Sequence, residues 1–172
     1  MPDKTLLLPK QVEADPRYKQ LRYLLSRRTE KLWSGSAVLI PVAPFSDAIK
    51  TALMAAKEDD RLSRGVDGIE RSLGVEGRGL ALVDKKTTEK RVQRISRLLI
   101  MSNDGAERFY RKVESILRQH GERVMAIRVN ADSSQLGEYL FGPEKAVKLL
   151  LIDHKESVAA VLLALADQGL SA

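Results

Sequence analysis

The sequence contains no cysteine and only two histidines, His120 and His154, among its 172 residues. The absence of cysteine excludes disulfide bonds, thiolate metal sites and cysteine nucleophiles. Neither histidine stands at ligand spacing from the other, so we expect no metal and no cofactor. A chain without cysteine also suits a reducing compartment, which predicts a cytoplasmic protein.

Long hydrophobic runs are missing near the start of the chain. Only three consecutive apolar residues, Leu6 to Leu8, precede Pro9. This run is far too short for the core of a signal peptide or for a membrane span. We therefore expect that the protein neither uses that export route nor enters a membrane.

Aromatic residues are scarce and make up 5% of the chain. None of the predicted strands is rich in them, which argues against recognition of single-stranded nucleic acid by base stacking. Basic residues, in contrast, are plentiful: 29 lysines and arginines stand against 23 acidic residues. The excess is local, with 8 against 4 in residues 1–34 and 13 against 8 in residues 75–134. This distribution favours a polyanionic partner.

Hydrophobic periodicity predicts alternating helices and strands. Helices are expected at 17–33, 46–57, 87–96, 106–120, 135–141 and 155–168, and strands at 37–42, 80–83, 98–101, 124–129 and 146–152. The glycine-rich stretch from residue 58 to residue 79 is expected to be an irregular connector, in which the glycines break a short possible helix at residues 67–73. This order predicts an α/β fold, a three-layer α/β/α sandwich with a mixed or mostly parallel sheet. Residues 1–74 are expected to form a basic N-terminal helical extension that packs on a main domain at residues 75–172.

The segment from Lys85 to Arg97 holds six basic residues and one acidic residue. In the predicted arrangement it is a strand-to-helix turn with its helix, where backbone N–H groups, hydroxyl groups and lysines would together bind phosphate. An ordinary solvated helix surface explains the same pattern and stays open as an alternative. The predicted RNA contacts in this segment are Lys85, Lys86, Thr87, Thr88, Glu89, Lys90 and Arg94.

The order of features from Gly77 onward resembles the kink-turn RNA-binding ribosomal-protein superfamily, of the L-seven-Ae and L-thirty-e type. The segment Leu136-Gly-Glu-Tyr-Leu-Phe-Gly142 is similar to the short Leu-Gly-x-x-x-Gly helix of that family, and an apolar strand and a final helix follow it. The resemblance covers about residues 75–169 and implies binding to structured RNA as part of a ribonucleoprotein.

In that family a Gly-x-Asn-Glu turn opens the second helix and grips sheared G·A pairs of a kinked RNA. The resemblance places this turn at residues 84–89, where the glycine and the asparagine are absent. The family's second contact surface is the loop before the last strand, which matches residues 141–146 here. The resemblance thus adds Phe141 and Lys145 to the predicted RNA contacts.

The first predicted helix is also basic and offers a second basic surface, formed by Arg22, Arg27, Arg28 and Lys31. Three functions therefore compete. The first is non-catalytic binding of structured RNA, and the second is a protein-interaction module that docks through this helix. The third is a small nucleotide-binding regulator or enzyme, because a parallel sheet with glycine-rich turns can bind ligands at its strand ends.

Overall fold

Helices and strands alternate along the chain in the computed structural model, which describes residues 7–86 and 93–170 and side chains as far as residue 167. These residues form seven helices and six strands. The helices are α1 (Lys10–Glu13), α2 (Tyr18–Arg27), α3 (Asp47–Glu58), α4 (Val66–Lys86), α5 (Glu107–His120), α6 (Ser133–Phe141) and α7 (Lys155–Leu170). The strands are β1 (Thr29–Lys31), β2 (Leu39–Pro44), β3 (Leu62–Arg64), β4 (Arg97–Met101), β5 (Val124–Asn130) and β6 (Leu149–Ile152).

The six strands form one mixed sheet in the order β1-β2-β5-β4-β6-β3. β2, β5 and β4 are parallel, whereas β6 runs antiparallel to both of its neighbours and β1 runs antiparallel to β2. Within the described residues, no helix is both long enough and apolar enough to cross a membrane.

Two apolar cores cover the two faces of the sheet, which confirms the three-layer α/β/α sandwich. Successive residues of a strand point to opposite faces, so Leu98 and Ile100 of β4 enter one core while Leu99 and Met101 enter the other. The first core contains residues of α1, α2, α3, α6 and α7, and the second contains residues of α4 and α5. Strands buried on both faces read as continuous apolar runs, and β4, β5 and β6 are of this kind.

The region from residue 58 to residue 86 differs from its prediction. The expected connector contains β3 and the first part of α4, and the expected strand at residues 80–83 is helical. Ile69 and Leu73, one helical turn apart, fix this helix because both are fully buried in the second core. The glycines of α4 were read as helix breakers, but each costs only about 1 kcal/mol relative to alanine in a helix, which the tertiary contacts offset.

The part of the expected helix 87–96 that the structure describes is not helical. Residues 87–92 lie outside the described residues, and residues 93–96 form no helix. Instead, Ile95 N–H donates to Leu7 O at 2.7 Å and Ser96 N–H donates to Arg123 O at 2.9 Å.

The predicted division at residue 74 falls within α4, and strands from both sides of it join the same sheet.

The first predicted helix is shorter than expected, because α2 ends at Arg27 and β1 follows it. Leu21 enters the first core and Leu32 enters the second. A single straight helix cannot place these two side chains on opposite faces of the sheet. Arg128 holds the new strand in place: its guanidinium donates to Glu30 Oε2 at 3.2 Å and to the carbonyl oxygens of Lys31 and Leu32.

The turn between β1 and β2 is fastened to α5 through the buried carboxylate of Glu114. This carboxylate accepts hydrogen bonds from the Ser36 hydroxyl, from Trp33 Nε1 at 3.1 Å and from Arg118 Nη2 at 2.9 Å. The hydrogen bond from Ser36 is the largest influence that holds the pKa of Glu114 below its usual value, and burial opposes it. The folded chain therefore releases the proton of Glu114 more readily than the unfolded chain does.

We predict that Glu114→Gln lowers stability at about pH 7 and makes stability less sensitive to acid. A carboxylate whose pKa is lower in the folded state stabilises the protein above its unfolded-state pKa, and this contribution disappears as the pH falls through the folded-state pKa. Urea unfolding at about pH 7 and about pH 3 measures both effects. Glu107→Gln is the control, because Glu107 forms an exposed pair with Arg111 on the same helix and exposed pairs contribute little. Equal acid sensitivity of Glu114→Gln and the wild type would contradict this account.

Candidate nucleic-acid interface

Four strands end at one edge of the sheet, which we call the carboxyl edge. β2, β5 and β4 are parallel, and β3 runs in the same direction because both β3 and β4 are antiparallel to β6. The helices α3, α4, α5 and α6 begin shortly after these strands, at the same edge. The first turn of a helix presents unpaired N–H groups and a partial positive charge. The side chains of Ser46 and Asp132 cap α3 and α6, so α4 and α5 are the helices whose first turns favour phosphate groups at the carboxyl edge.

The turn between β3 and α4, which we call the Gly65 turn (residues 64–67), requires its glycine. Gly65 has a φ of +94°, in the left-handed region that other residues rarely adopt. Its N–H donates to Leu149 O at 3.2 Å, and its carbonyl accepts from Ile69 N–H at 3.1 Å. The turn is thereby fixed both to β6 and to α4. Arg64 and Asp67 are exposed on either side of the glycine.

The loop that follows α6, which we call the Phe141 loop (residues 141–146), lies tightly against that helix. A Cβ atom on Gly137 would lie 2.7 Å from Ala146 Cα and even closer to the carbonyl oxygen of Lys145. Gly137 therefore allows the loop backbone to approach α6, and Gly142, with a φ of +102°, ends the helix. Both glycines of the segment Leu136–Gly142 thus have a local structural reason, although four residues separate them where the family's Leu-Gly-x-x-x-Gly pattern has three.

The Gly65 turn and the Phe141 loop meet through their side chains. The guanidinium of Arg64 lies over the ring of Phe141 at 4.3 Å from its centroid, and Lys57 Nζ lies 5.3 Å from the same centroid. We call these three residues the Phe141 cluster. Arg64 is exposed, whereas Lys57 and Phe141 are half-buried. The cluster combines two cations with an aromatic face: Arg64 ends β3 at the carboxyl edge, and Lys57 belongs to the last turn of α3.

A second group of cation and aromatic side chains lies nearer the start of α3. The rings of Phe45 and Tyr139 pack edge to face with centroids 5.9 Å apart. Lys50 Nζ lies 5.1 Å from the centroid of Phe45 and 5.6 Å from that of Tyr139. We call these three residues the Tyr139 cluster. Tyr139 is 37% exposed, so part of its surface faces solvent.

Between β4 and β5, the polar groups of the carboxyl edge pair with one another. The carboxylate of Asp104 accepts from Ser133 N–H at 3.0 Å and from the Ser133 hydroxyl at 2.8 Å. Burial raises the pKa of Asp104, but the neighbouring Ser102 hydroxyl and the hydrogen bonds from Ser133 together outweigh this and hold the pKa below its usual value. Asp132 and Gln135 form a capping box on α6. These groups hold the loops in place and are not free to bind a small ligand.

A cleft of about 610 Å³ lies at the opposite edge, between α4 and the end of α5. Arg123 lines it, but its guanidinium donates to Glu76 Oε2 at 2.7 Å and to Leu73 O at 3.0 Å. Burial and the charge of Arg123 lower the pKa of His120, which also lines the cleft. The lowered pKa of His120 disfavours its charged form, and Arg123 is already paired with Glu76, so neither side chain favours binding of phosphate.

Among the described residues, the sequence-predicted RNA contacts are divided between the two edges of the sheet. Lys85 and Lys86 lie in the last turn of α4, about 30 Å along the helix axis from its first turn. The expected strand-to-helix turn at these residues is therefore wrong, and lysines at a helix C-terminus interact favourably with its carbonyl groups. Thr87, Thr88, Glu89 and Lys90 lie outside the described residues. Arg94 lies before β4 at the opposite edge, where it donates to Glu13 Oε1 at 2.8 Å and to Leu8 O at 3.0 Å.

Phe141 and Lys145 do lie at the carboxyl edge, in the Phe141 loop, where Lys145 is exposed. The second basic surface is on α2 and β1. Arg27, Arg28 and Lys31 are exposed there, whereas Arg22 is half-buried and donates to the Tyr18 hydroxyl at 2.8 Å. This surface belongs to a different part of the molecule from the Phe141 loop.

The sequence prediction missed Lys57, Arg64 and Gly65. All three adjoin or lie in the stretch that was read as a connector because of its glycines. The available signal was the order Leu62-Ser-Arg-Gly65 followed by Ile69 and Leu73 at helical spacing. Such an order is typical of a short strand, a glycine turn and an amphipathic helix.

Comparison with known proteins identifies only a distant structural similarity. No protein-family model matches the chain, and no curated protein matches it. A solved structure described as a protein with unknown function from Bacillus halodurans C is similar to it, with a TM-score of 0.47 and 14% sequence identity. The similarity covers 71% of this chain and 99% of that chain.

We predict that Gly137→Ala destabilises the protein by about 1–3 kcal/mol, as overpacking against rigid structure usually does. The added methyl group would contact the loop backbone, which cannot move aside as a flexible side chain can. Urea unfolding followed by circular dichroism measures the change. Gly79→Ala in α4 is the matched control, because a Cβ atom there meets no atom within 4 Å. We expect this control to stabilise the protein by about 1 kcal/mol through helix propensity, and equal stabilisation of Gly137→Ala would show that the loop is not held against α6.

Proposed function

We propose that the protein binds structured RNA without catalysing a reaction, and that the RNA contacts the carboxyl edge at the Gly65 turn and the Phe141 loop. The observation that carries this proposal is the contact of Arg64 with Phe141, which joins these two loops into one surface. Exposed cations beside an aromatic face suit phosphates and unstacked bases together.

The electrostatics of the Gly65 turn support the same proposal. Ile69 is the first residue of α4 whose N–H donates along the helix, to Gly65 O. The N–H groups of residues 66–68 come before it and can therefore donate to an anion at this helix N-terminus. Arg64 adds a positive charge within this turn, and Lys57 adds another beside the same Phe141 ring. Asp67 is the opposing charge, and an acidic side chain in the first turn of a helix also stabilises the helix.

The proposal moves the counterpart of the family's Gly-x-Asn-Glu turn from residues 84–89 to residues 65–68. The reason is that α4 is the helix that follows a strand and precedes β4, and it begins with Gly65-Val66-Asp67-Gly68. This segment keeps the glycine and has an aspartate at the asparagine position, but it has no side chain at the glutamate position. The second family surface, the loop before the last strand, lies next to it in space.

The alternative of a protein-docking module is favoured by one observation on α2. Tyr23 is 53% exposed and lies under the guanidinium of Arg27, 5.2 Å from the ring centroid. Exposed tyrosine and arginine are common at the energetic centres of protein interfaces. Under this alternative, substitutions at Arg27 and Arg28 abolish partner binding and leave RNA binding intact.

The third alternative, a nucleotide-binding enzyme, has less support because the polar groups between β4 and β5 pair with one another.

We predict that the double variant Lys57→Gln and Arg64→Gln binds RNA several-fold more weakly per lost phosphate contact at moderate salt. The probes are a synthetic RNA that carries tandem sheared G·A pairs in a kinked internal loop and a fully paired RNA of the same length. Fluorescence anisotropy across a salt series measures both affinity and its salt dependence. The slope of log K against log salt should become shallower by about 0.7–0.9 for each lost contact.

The matched control is the double variant Lys85→Gln and Lys86→Gln, which removes the same charge at the other end of α4. Binding close to that of the wild type is expected for this control, and preference for the kinked RNA over the paired RNA is expected for the wild type. If the control loses RNA binding and the Lys57 and Arg64 variant keeps it, the earlier assignment to Lys85 and Lys86 is the better one. If the wild type binds neither RNA, or if binding does not respond to salt, the proposed function is wrong.

A further inference from the structure

The Phe141 and Tyr139 clusters lie on the same side of α3. Lys50 and Lys57 are seven residues apart in this helix, which places them almost directly above one another at a separation of about 10 Å along the axis. Each lysine contacts aromatic rings, Lys50 those of Phe45 and Tyr139, and Lys57 that of Phe141. The two clusters therefore form a row that starts at the Gly65 turn and follows α3.

We infer that this row binds unpaired nucleotides that continue from the structured RNA, with bases against the aromatic rings and phosphates near the lysines. This inference rests on the proposed function and extends it to a specific class of RNA, a kinked duplex with a single-stranded extension. Alternating aromatic faces and cations are the arrangement by which proteins bind single strands without reading their sequence. A separation of about 10 Å is a distance that a few unpaired nucleotides span.

Three acidic residues lie near the row. Asp47 is exposed three residues before Lys50, and thus next to it on the helix surface, and it also lines the groove between α3 and α7. Glu58 and Glu138 are exposed next to Lys57 and Tyr139 in the sequence, so they flank the row and oppose binding of the phosphates at its margins. Met54 lies between the two lysines along the helix, half-buried and packed against the first core. The middle of the row is thus apolar, which suits the face of a base.

The scarcity of aromatic residues in the strands argued against base stacking on the sheet. The aromatic residues of the row do not belong to strands: Phe45 lies in the loop after β2, and Tyr139 and Phe141 belong to α6. The aromatic residues are few, but tertiary structure brings three of the eight phenylalanines, tyrosines and tryptophans of the chain to one surface.

The test uses the full chain and three probes measured by fluorescence anisotropy. The first is the kinked RNA with blunt ends, the second is the same RNA with eight unpaired uridines at either end, and the third is a free single-stranded uridine oligonucleotide. We expect the tail to tighten binding by at least about fivefold, because stacking of one base on an aromatic side chain contributes at least this factor. The double variant Lys50→Gln and Tyr139→Ala should lose the gain from the tail and keep the affinity for the blunt RNA.

The matched control is the double variant Tyr23→Ala and Arg27→Gln, which removes an exposed tyrosine and its cation from α2. This control should keep the gain from the tail. Since Tyr139→Ala could loosen Phe45, a second variant with Lys50→Gln and Tyr139→Leu preserves the apolar packing and should show the same loss. Circular dichroism checks that each variant is folded.

The outcomes separate this inference from the proposed function. If the blunt RNA binds and the tail adds nothing, or if the gain survives in both Lys50 variants, the inference is overturned while the proposed function stands. If the blunt RNA does not bind but the free oligonucleotide binds and depends on Lys50 and Tyr139, the row binds single strands and the proposed function fails. Loss of the gain in the α2 control as well would place the tail elsewhere and also overturn the inference.

Discussion

Burial of both faces of the central strands is the constraint on which the rest of the structure depends. β4, β5 and β6 present apolar side chains to both sides of the sheet, and one layer of helices can cover only one side. The second side must be covered by the helices that remain, α4 and α5. This requirement fixes the first two turns of α4, where Ile69 and Leu73 are buried, and it places the start of that helix at the carboxyl edge. The position of the candidate interface is thus a consequence of how the sheet is buried.

The fold class and most elements from α5 onward were predictable from the sequence. Their periodicity is strong, as in α5, where Val113 and Ile116 recur at helical spacing and are buried. The stretch from residue 58 to residue 86 was not predictable in the same way, because only Ile69 and Leu73 of α4 are buried. A helix with two buried anchors and several glycines carries a weak periodic signal, and four apolar residues in a row, as at positions 80–83, fit a strand equally well.

The candidate interface was only partly predictable for a related reason. Phe141 and Lys145 were placed through a short segment with a recognisable pattern of glycines, whereas Arg64 and Lys57 come from an element that had been read as irregular. Their contact with Phe141 depends on the pairing of β3 with β6, which joins residues about 90 positions apart. Pairing at such sequence separation leaves no trace in local periodicity. The RNA-binding role itself stays a prediction, which the experiments above test.

The two outermost strands of the sheet, β1 and β3, have three residues each. A short outer strand that carries charged side chains, such as Glu30, Lys31 and Arg64, gives another chain little backbone with which to extend the sheet. Recognition by strand addition, which many small domains use to capture extended peptides, is therefore a poor option for this molecule. Loops, helix ends and the sides of helices are left as the recognition surfaces, and a surface of that kind can change its specificity through a few side chains without any rearrangement of the sheet.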